Sequence, residues 1–252
     1  MGDKWFEVHG LCKNFAGIRA ILDFSCSLGQ GEILGLIGPN GAGKTTFFNI
    51  VSGFIAPDRG QVLFKGVETT RIAPYRIANL GIRRTFQDLR LIRQITVLDN
   101  VMLSMPNQPG ERLTKVFFRW SNSRKKDGEN RSEAMALLAK AGLAEEANIA
   151  AGDLSYGQQK LLSLVCCLSA KAELLLLDEP IAGIAPEMIR KILKVISSLR
   201  ERRMSVILIE HNFEAVMQIC DRVIFMDLGT KVSEGTPERV RDDPKVIQAY
   251  TN

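Results

Sequence analysis

Short runs of alternating apolar and polar residues open the chain. Residues 5–8 and 21–28 predict strands, because a period of two turns one face toward a core. Residues 32–37 are apolar nearly throughout, as a strand covered on both faces must be, and they run directly into glycines. The β pattern continues over 61–65 between the turn residues Gly60 and Gly66, and a helix over 43–51 follows the third strand. The middle of the chain differs. Thr96 opens TVLDNVMLSM as an N-cap with Asp99 at N3, the acidic end of a capping box. Residues 106–131 hold no steady period and carry Pro109, Gly110 and the basic run Arg124-Lys125-Lys126, so they read as an inserted loop with a short amphipathic piece. Ser132 then caps a helix to about residue 141, and Leu154-Ser155-Tyr156-Gly157-Gln158-Gln159-Lys160 opens another that extends to Ala170.

The last third alternates between the two periods: strand 173–178, helix 186–203, strand 205–210, helix 212–220, strand 222–227. Such alternation predicts a parallel sheet with helices on its faces. The chain is therefore α/β, with a helical middle that interrupts the core and makes two lobes.

Composition narrows this little. A chain of 252 residues is long enough to bury a sizeable core, and its 46% apolar content belongs to the soluble globular class. The net charge of +5 is a mild bias that suits nucleotides, anionic headgroups or nucleic acid and separates none of them. Five cysteines, an odd number with no C-x-x-C pair, exclude a disulfide scaffold and a zinc site. They read as reduced thiols, with Cys166 and Cys167 as small core residues on a buried helix. No apolar run reaches the ~18–20 residues of a membrane span, and MGDKWFEVHG lacks the apolar stretch of a signal peptide. Any membrane role then runs through a partner.

Chemistry enters at Gly38-Pro39-Asn40-Gly41-Ala42-Gly43-Lys44-Thr45, which fits GxxxxGK[ST] in full between a predicted strand and a predicted helix. Glycines let successive backbone N–H groups curl around phosphate oxygens. Lys44 brings a cation to the β and γ phosphates, and the Thr45 hydroxyl can ligate Mg²⁺. This predicts a bound nucleoside triphosphate. A second element, Leu174-Leu175-Leu176-Leu177-Asp178-Glu179-Pro180, is a fully apolar strand ending in two acids, at the edge where ligands collect in open α/β sheets. Asp178 can hold Mg²⁺ and Glu179 can polarise an attacking water. On these two motifs alone, kinases, GTPases and many ATPases stay open. The helix start at Ser155 adds a second place that favours an anion, because unpaired N–H groups and the helix dipole point there.

That helix start resembles the signature motif of ABC ATPases. Gln87, in Arg84-Thr85-Phe86-Gln87, is similar to the family's Q-loop glutamine. His211, in Ile209-Glu210-His211, resembles its switch histidine, and Phe15, in Lys13-Asn14-Phe15, stands where the family carries an aromatic that stacks on adenine. The resemblance spans almost the whole chain. It implies a P-loop NTPase core of the ABC type, with an N-terminal antiparallel β subdomain and an inserted α-helical subdomain. The chain is then one nucleotide-binding domain, 1–252, with its ATP-binding core in 1–86 and 173–252 and its helical part in 87–172. The implied cofactors are ATP and Mg²⁺. Glu179, His211 and Gln87 are expected to be catalytic, and Thr45, Gln87 and Asp178 to face the metal. The nucleotide would meet Phe15, Gly38, Pro39, Asn40, Gly41, Ala42, Gly43, Lys44, Thr45 and Thr46. In this family two such domains pack head to tail, so Ser155, Gly157 and Gln158 are expected to reach the γ-phosphate held by a second subunit, with Gly157 leaving room where a Cβ would crowd it.

Two positions depart from the family pattern. Tyr156 replaces the first glycine of the signature, and Ala185 replaces an Asp or Asn in the D-loop-like stretch Pro180-Ile181-Ala182-Gly183-Ile184-Ala185-Pro186. Together with the insertion and a tail reading RDDPKVIQAY, they resemble the ATP-binding subunits of prokaryotic branched-chain amino acid importers, which are akin to amide and urea importers. The implied partners are a second ATPase subunit, equal or different, integral membrane permeases and, indirectly, an extracytoplasmic solute-binding protein; nucleic acid is not expected. The implied place is the cytoplasmic face of the inner membrane. The rival readings are a soluble ABC ATPase of translation or DNA repair, an ABC subunit for amide, urea or lipid transport, and a nucleotide-gated subunit that does not hydrolyse.

Overall fold

The computed structural model describes residues 5–85, 91–106 and 120–251. In chain order, β1 (Phe6–Phe15), β2 (Ile18–Leu28), β3 (Ile33–Ile37), α1 (Lys44–Val51), β4 (Arg59–Phe64) and β5 (Val67–Glu68) come first. Next are α2 (Pro74–Leu80), β6 (Ile82–Arg84), α3 (Val97–Ser104), α4 (Trp120–Ala141), α5 (Tyr156–Ser169) and β7 (Leu174–Asp178). The chain continues through α6 (Pro186–Ser198), β8 (Ser205–Ile209), α7 (Phe213–Ile219), β9 (Arg222–Asp227), β10 (Thr230–Gly235), α8 (Pro237–Arg241) and α9 (Pro244–Thr251). Two compact units result. One comprises Met1–Arg84, Glu173–Ala182 and Ile196–Asn252, the other Thr85–Ala172 and Gly183–Val195.

The first unit holds both sheets. An antiparallel sheet runs β2-β1-β4-β5, and a six-stranded sheet runs β10-β9-β3-β8-β7-β6. In the larger sheet β9, β3, β8, β7 and β6 are parallel, and β10 is antiparallel to β9. Every residue of β3, β7 and β8 is buried, which is why these strands read as apolar runs. Phe6, Phe24 and Phe64 of the antiparallel sheet share one core with Leu34, Leu174 and Ile207 of the parallel sheet and with Phe47 and Phe48 of α1. Because β3, β8 and β7 are adjacent and parallel, the Gly38 loop, His211 and the Asp178-Glu179 pair leave the sheet at the same edge.

In the second unit α3 packs on α4 and α5, burying Val97, Leu98, Val101, Leu138, Leu161 and Val165. Thr96 caps α3 as expected, its Oγ1 accepting from Asp99 N at 3.0 Å; the Asp99 carboxylate accepts from the Thr96 hydroxyl at 2.7 Å.

Four local expectations are corrected. The hairpin strands β1 and β2 are longer than the alternating runs, because register shifts between Val8 and Leu11 and between Leu11 and Lys13 break the period of two. Helix α4 begins by Trp120, not at Ser132. Its first half mixes Arg124, Lys125, Lys126 and Glu129 with Ser, Asn, Asp and Gly, so it leaves no apolar period to read. Helix α6 ends at Ser198, and Arg203 (φ +55°) closes a separate 3₁₀ turn at Arg200–Arg202. Cys166 and Cys167 are half-buried; successive helical residues point about 100° apart, and the buried face is carried by Leu161, Leu162, Leu164 and Val165. Among the described residues no disulfide forms.

Candidate active site

The loop from β3 to α1 is shaped by its own chain before any ligand is considered. A Cβ at Gly38 would lie 1.9 Å from Met226 O, and one at Gly43 would lie 2.3 Å from Ala20 O, so neither position accepts a side chain. Gly41 takes φ +82° with open space beyond it. Pro39 and Ala42 close the turn, Ala42 N donating to Pro39 O at 3.2 Å, while Asn40 is exposed. Helix α1 starts with no side-chain cap and no acid in its first turn. Its first N–H groups and its dipole are thus left to an anion. Thr45 is exposed at this end and Thr46 half-buried. Lys44 folds back, donating from Nζ to Gly38 O at 2.6 Å and Pro39 O at 2.9 Å. Burial lowers its pKa, opposed by the charges of Glu179 and Asp178, which places both acids in the electrostatic reach of the loop.

Asp178 ends β7 as a buried carboxylate, accepting from Arg84 Nη2 at 2.8 Å. Arg84 also donates from Nη1 to Asn49 Oδ1 at 2.6 Å, and its guanidinium lies 5.4 Å from the Phe48 ring centroid. The acid thus enters the site with a fixed orientation and a compensated charge. Sequence reasoning missed Arg84, since a three-residue strand at β6 leaves no period to detect.

Glu179 sits one residue further on, at φ +49°, a left-handed backbone that a non-glycine residue adopts at a cost of about 1–3 kcal/mol. Its N–H donates to Ile209 O at 2.9 Å, and its carbonyl accepts from Ala182 N at 3.3 Å. His211 Nε2 stands 3.1 Å from Glu179 Oε1. A carboxylate paired with an imidazole at a sheet edge can orient a water and take its proton. Between them in sequence lies Glu210, only 3% exposed. Burial raises its pKa, opposed by backbone hydrogen bonds from Ile181, His211 and Asn212.

The signature-like helix α5 belongs to the second unit. Ser155 is its N-cap in a complete capping box: Ser155 Oγ accepts from Gln158 N at 3.4 Å, and Gln158 Oε1 accepts from Ser155 N at 3.0 Å. The spacing S-x-x-Q is the signal that marks such a box, and sequence reasoning missed it beside the anion-binding reading of this helix start. Gln158 Nε2 donates to Glu146 Oε1 at 2.9 Å, so its side chain is held within the unit. Tyr156 is half exposed, with Lys160 Nζ 5.3 Å from its ring centroid. Gly157 is buried, and a Cβ there would lie 2.7 Å from Met188 Cγ and 3.6 Å from Ile184 Cβ. The helix start is therefore seated on the beginning of α6, and the chain's own packing asks for this glycine. Gly157→Ala should cost about 1–2 kcal/mol by overpacking, read as a lowered Tm, and Met188→Ala in the same chain should restore much of it. An unchanged Tm in Gly157→Ala would show that Met188 yields without cost.

Phe15 ends β1 and is 41% exposed, with Lys13 Nζ 5.3 Å from its ring centroid and Lys13 paired with Asp58 at 3.0 Å. An exposed aromatic face beside a cation is suited to stacking on a base. Gln87 lies outside the described residues.

Neighbouring parallel strands that bring a phosphate loop, an acid pair and a histidine to one edge define a P-loop ATPase. Comparison with known proteins narrows the class in agreement with the motifs: the chain belongs to the ABC transporter family, whose model matches residues 21–182. A model described as branched-chain amino acid ATP-binding cassette transporter matches residues 230–251. The chain is 37% identical over 251 residues to the high-affinity branched-chain amino acid transport ATP-binding protein LivG of Escherichia coli, covering 99% of this chain and 98% of that one. It is 36% identical over 245 residues to the corresponding protein BraF of Pseudomonas aeruginosa, covering 97% and 96%. Among solved structures, an ATP-binding cassette of an ABC transporter in its ADP conformation superposes with a TM-score of 0.85 at 30% identity, covering 98% of each chain. The protein is an ATP-binding, ATP-hydrolysing transport subunit. Subunits of this family work as dimers with membrane permease components.

Proposed function

We propose that the chain powers import of branched-chain amino acids, closing on a second ATPase subunit when ATP is bound and opening after hydrolysis. The observation that carries the cargo class is the match of residues 230–251, the tail beyond the common ATPase core, to the branched-chain amino acid model. Relatives aligned along nearly the whole chain carry the same description.

In this reading residues 1–252 act as one nucleotide-binding domain. Phe15 stacks on adenine, and residues 38–46 wrap the phosphates. Lys44 leaves the carbonyls of Gly38 and Pro39 for the β and γ phosphates. Mg²⁺ fits the donor set, a hydroxyl at Thr45 and a carboxylate at Asp178, with Gln87 as a further oxygen donor. When bound, it neutralises charge on the phosphates. Glu179 takes the proton of the attacking water, and His211, beside it, orients both. Ser155, Gly157 and Gln158 present the start of α5 to the γ-phosphate of the partner subunit; the Ser155 hydroxyl, which donates to Gln158 Oε1 at 2.9 Å, turns its proton to that contact.

No described helix is long and apolar enough to cross a membrane. Membrane attachment in this reading is peripheral, at the cytoplasmic face of the inner membrane, through permeases fed by an extracytoplasmic binding protein. Affinity purification from native membranes tests it. The chain should bring down permease subunits whose associated binding protein retains leucine, isoleucine or valine. A binding protein that retains an amide or urea would replace the cargo, and recovery with no permease would sink the transport reading for this chain.

A further inference from the structure

We propose that Glu210 is a positioning residue that holds Glu179 and His211 in register through their main chains. The inference rests on reading Glu179 and His211 as the hydrolytic pair.

The parallel ladder between β7 and β8 ends where Asp178 stands opposite Ile209. Beyond that point the chain after β7 leaves strand geometry, since Glu179 turns to φ +49°. Main-chain pairing gives one more bond, Glu179 N to Ile209 O at 2.9 Å. The Glu210 side chain then continues the tie. Its Oε1 accepts from Ile181 N at 3.0 Å, two residues past Glu179, and its Oε2 accepts from His211 N at 3.3 Å. The left-handed residue is thus fastened to β8 on both sides, by a carbonyl before it and a carboxylate after it. The same carboxylate fastens the backbone that carries the histidine.

A carboxylate suits this position for a chemical reason. It is acceptor-only and offers two oxygens to N–H donors from two separate segments. Glutamine offers one oxygen and turns an NH₂ donor toward the second N–H. Alanine offers neither. The position is 3% exposed, so water is a poor substitute. Glu210 is not expected to touch nucleotide. Its effect is on the 3.1 Å contact between Glu179 Oε1 and His211 Nε2 and on the backbone that presents them.

The test compares the parent with Glu210→Gln, Glu210→Ala and Glu179→Gln in three measurements: steady-state ATPase kinetics, affinity for a fluorescent ATP analogue, and amide hydrogen exchange. In Glu210→Ala, kcat should fall about 100-fold, as for a misplaced acid–base group, while KM and analogue affinity stay within about twofold because the Gly38–Thr45 loop is untouched. The Ile181 and His211 amides should exchange at least about tenfold faster, with Leu174–Leu177 unchanged. Glu210→Gln should fall between parent and alanine, and it carries the comparison if the alanine variant does not fold. Unimpaired kcat in the variants would overturn the assignment. So would loss of analogue affinity in step with kcat, accompanied by lost protection along β7. If Glu179→Gln hydrolyses ATP like the parent, the pair reading itself fails. If Glu179→Gln is inactive and Glu210→Ala is not impaired, only the role of Glu210 fails.

Discussion

Glu179→Gln is expected to lower ATP turnover by about 100- to 10,000-fold, the range attributed to a general base, with ATP affinity close to the parent's. The substitution keeps the size of the side chain and removes the charge that accepts a proton. The left-handed backbone at 179 and the ties to Ile209 and Ala182 are main-chain features, so they survive the change. Lys44 remains available to the phosphates within the Gly38–Thr45 loop and Asp178 keeps Arg84, so phosphate and metal binding should persist. With the γ-phosphate uncleaved, the closed pair of subunits should accumulate. Size-exclusion chromatography with Mg-ATP should show a dimer for the variant under conditions where the parent runs as a monomer. Equal turnover in variant and parent would remove Glu179 from the chemistry.

The parts of this site that were legible in the sequence are those built from local runs. Residues 33–37, 174–178 and 205–209 are buried on both faces, so their apolar runs revealed the parallel strands without tertiary information. The phosphate loop was legible because its glycines, lysine and threonine are contiguous. What escaped depends on contacts between distant segments. Arg84 meets Asp178, Glu210 meets Ile181, and Gly157 meets Met188, each across a gap that no period records. Strand β10 escaped because most of its residues are half-buried, so its pattern does not alternate. The start of α4 escaped because a polar helix has no apolar face to announce it. The purpose assigned to Gly157 also gains a part: the space a Cβ would take is filled by Met188 of the same chain.

Ser155→Arg is the second large effect, expected to abolish turnover with little change in ATP affinity. Ser155 lies at the exposed start of α5, and its hydroxyl closes a capping box with Gln158. Arginine removes the cap, which costs about 1 kcal/mol of local stability, far too little to unfold the chain. Its bulk would instead stand where a second subunit must approach. The phosphate loop of the same chain contains no part of α5, so a nucleotide should still bind there. Loss of ATP affinity in Ser155→Arg would place the signature helix in the binding site of its own chain.

If each hydrolytic site is shared between two subunits, two variants that are inactive alone should complement each other when mixed. Glu179→Gln lacks the base and Ser155→Arg lacks the signature contact. In a mixed dimer one site carries both defects and the other carries neither. If the site is shared, equal amounts of the two inactive proteins should regain about a quarter of parental ATPase activity, since half of randomly paired dimers are mixed and each has one intact site. A mixture as inactive as its components would contradict the shared site.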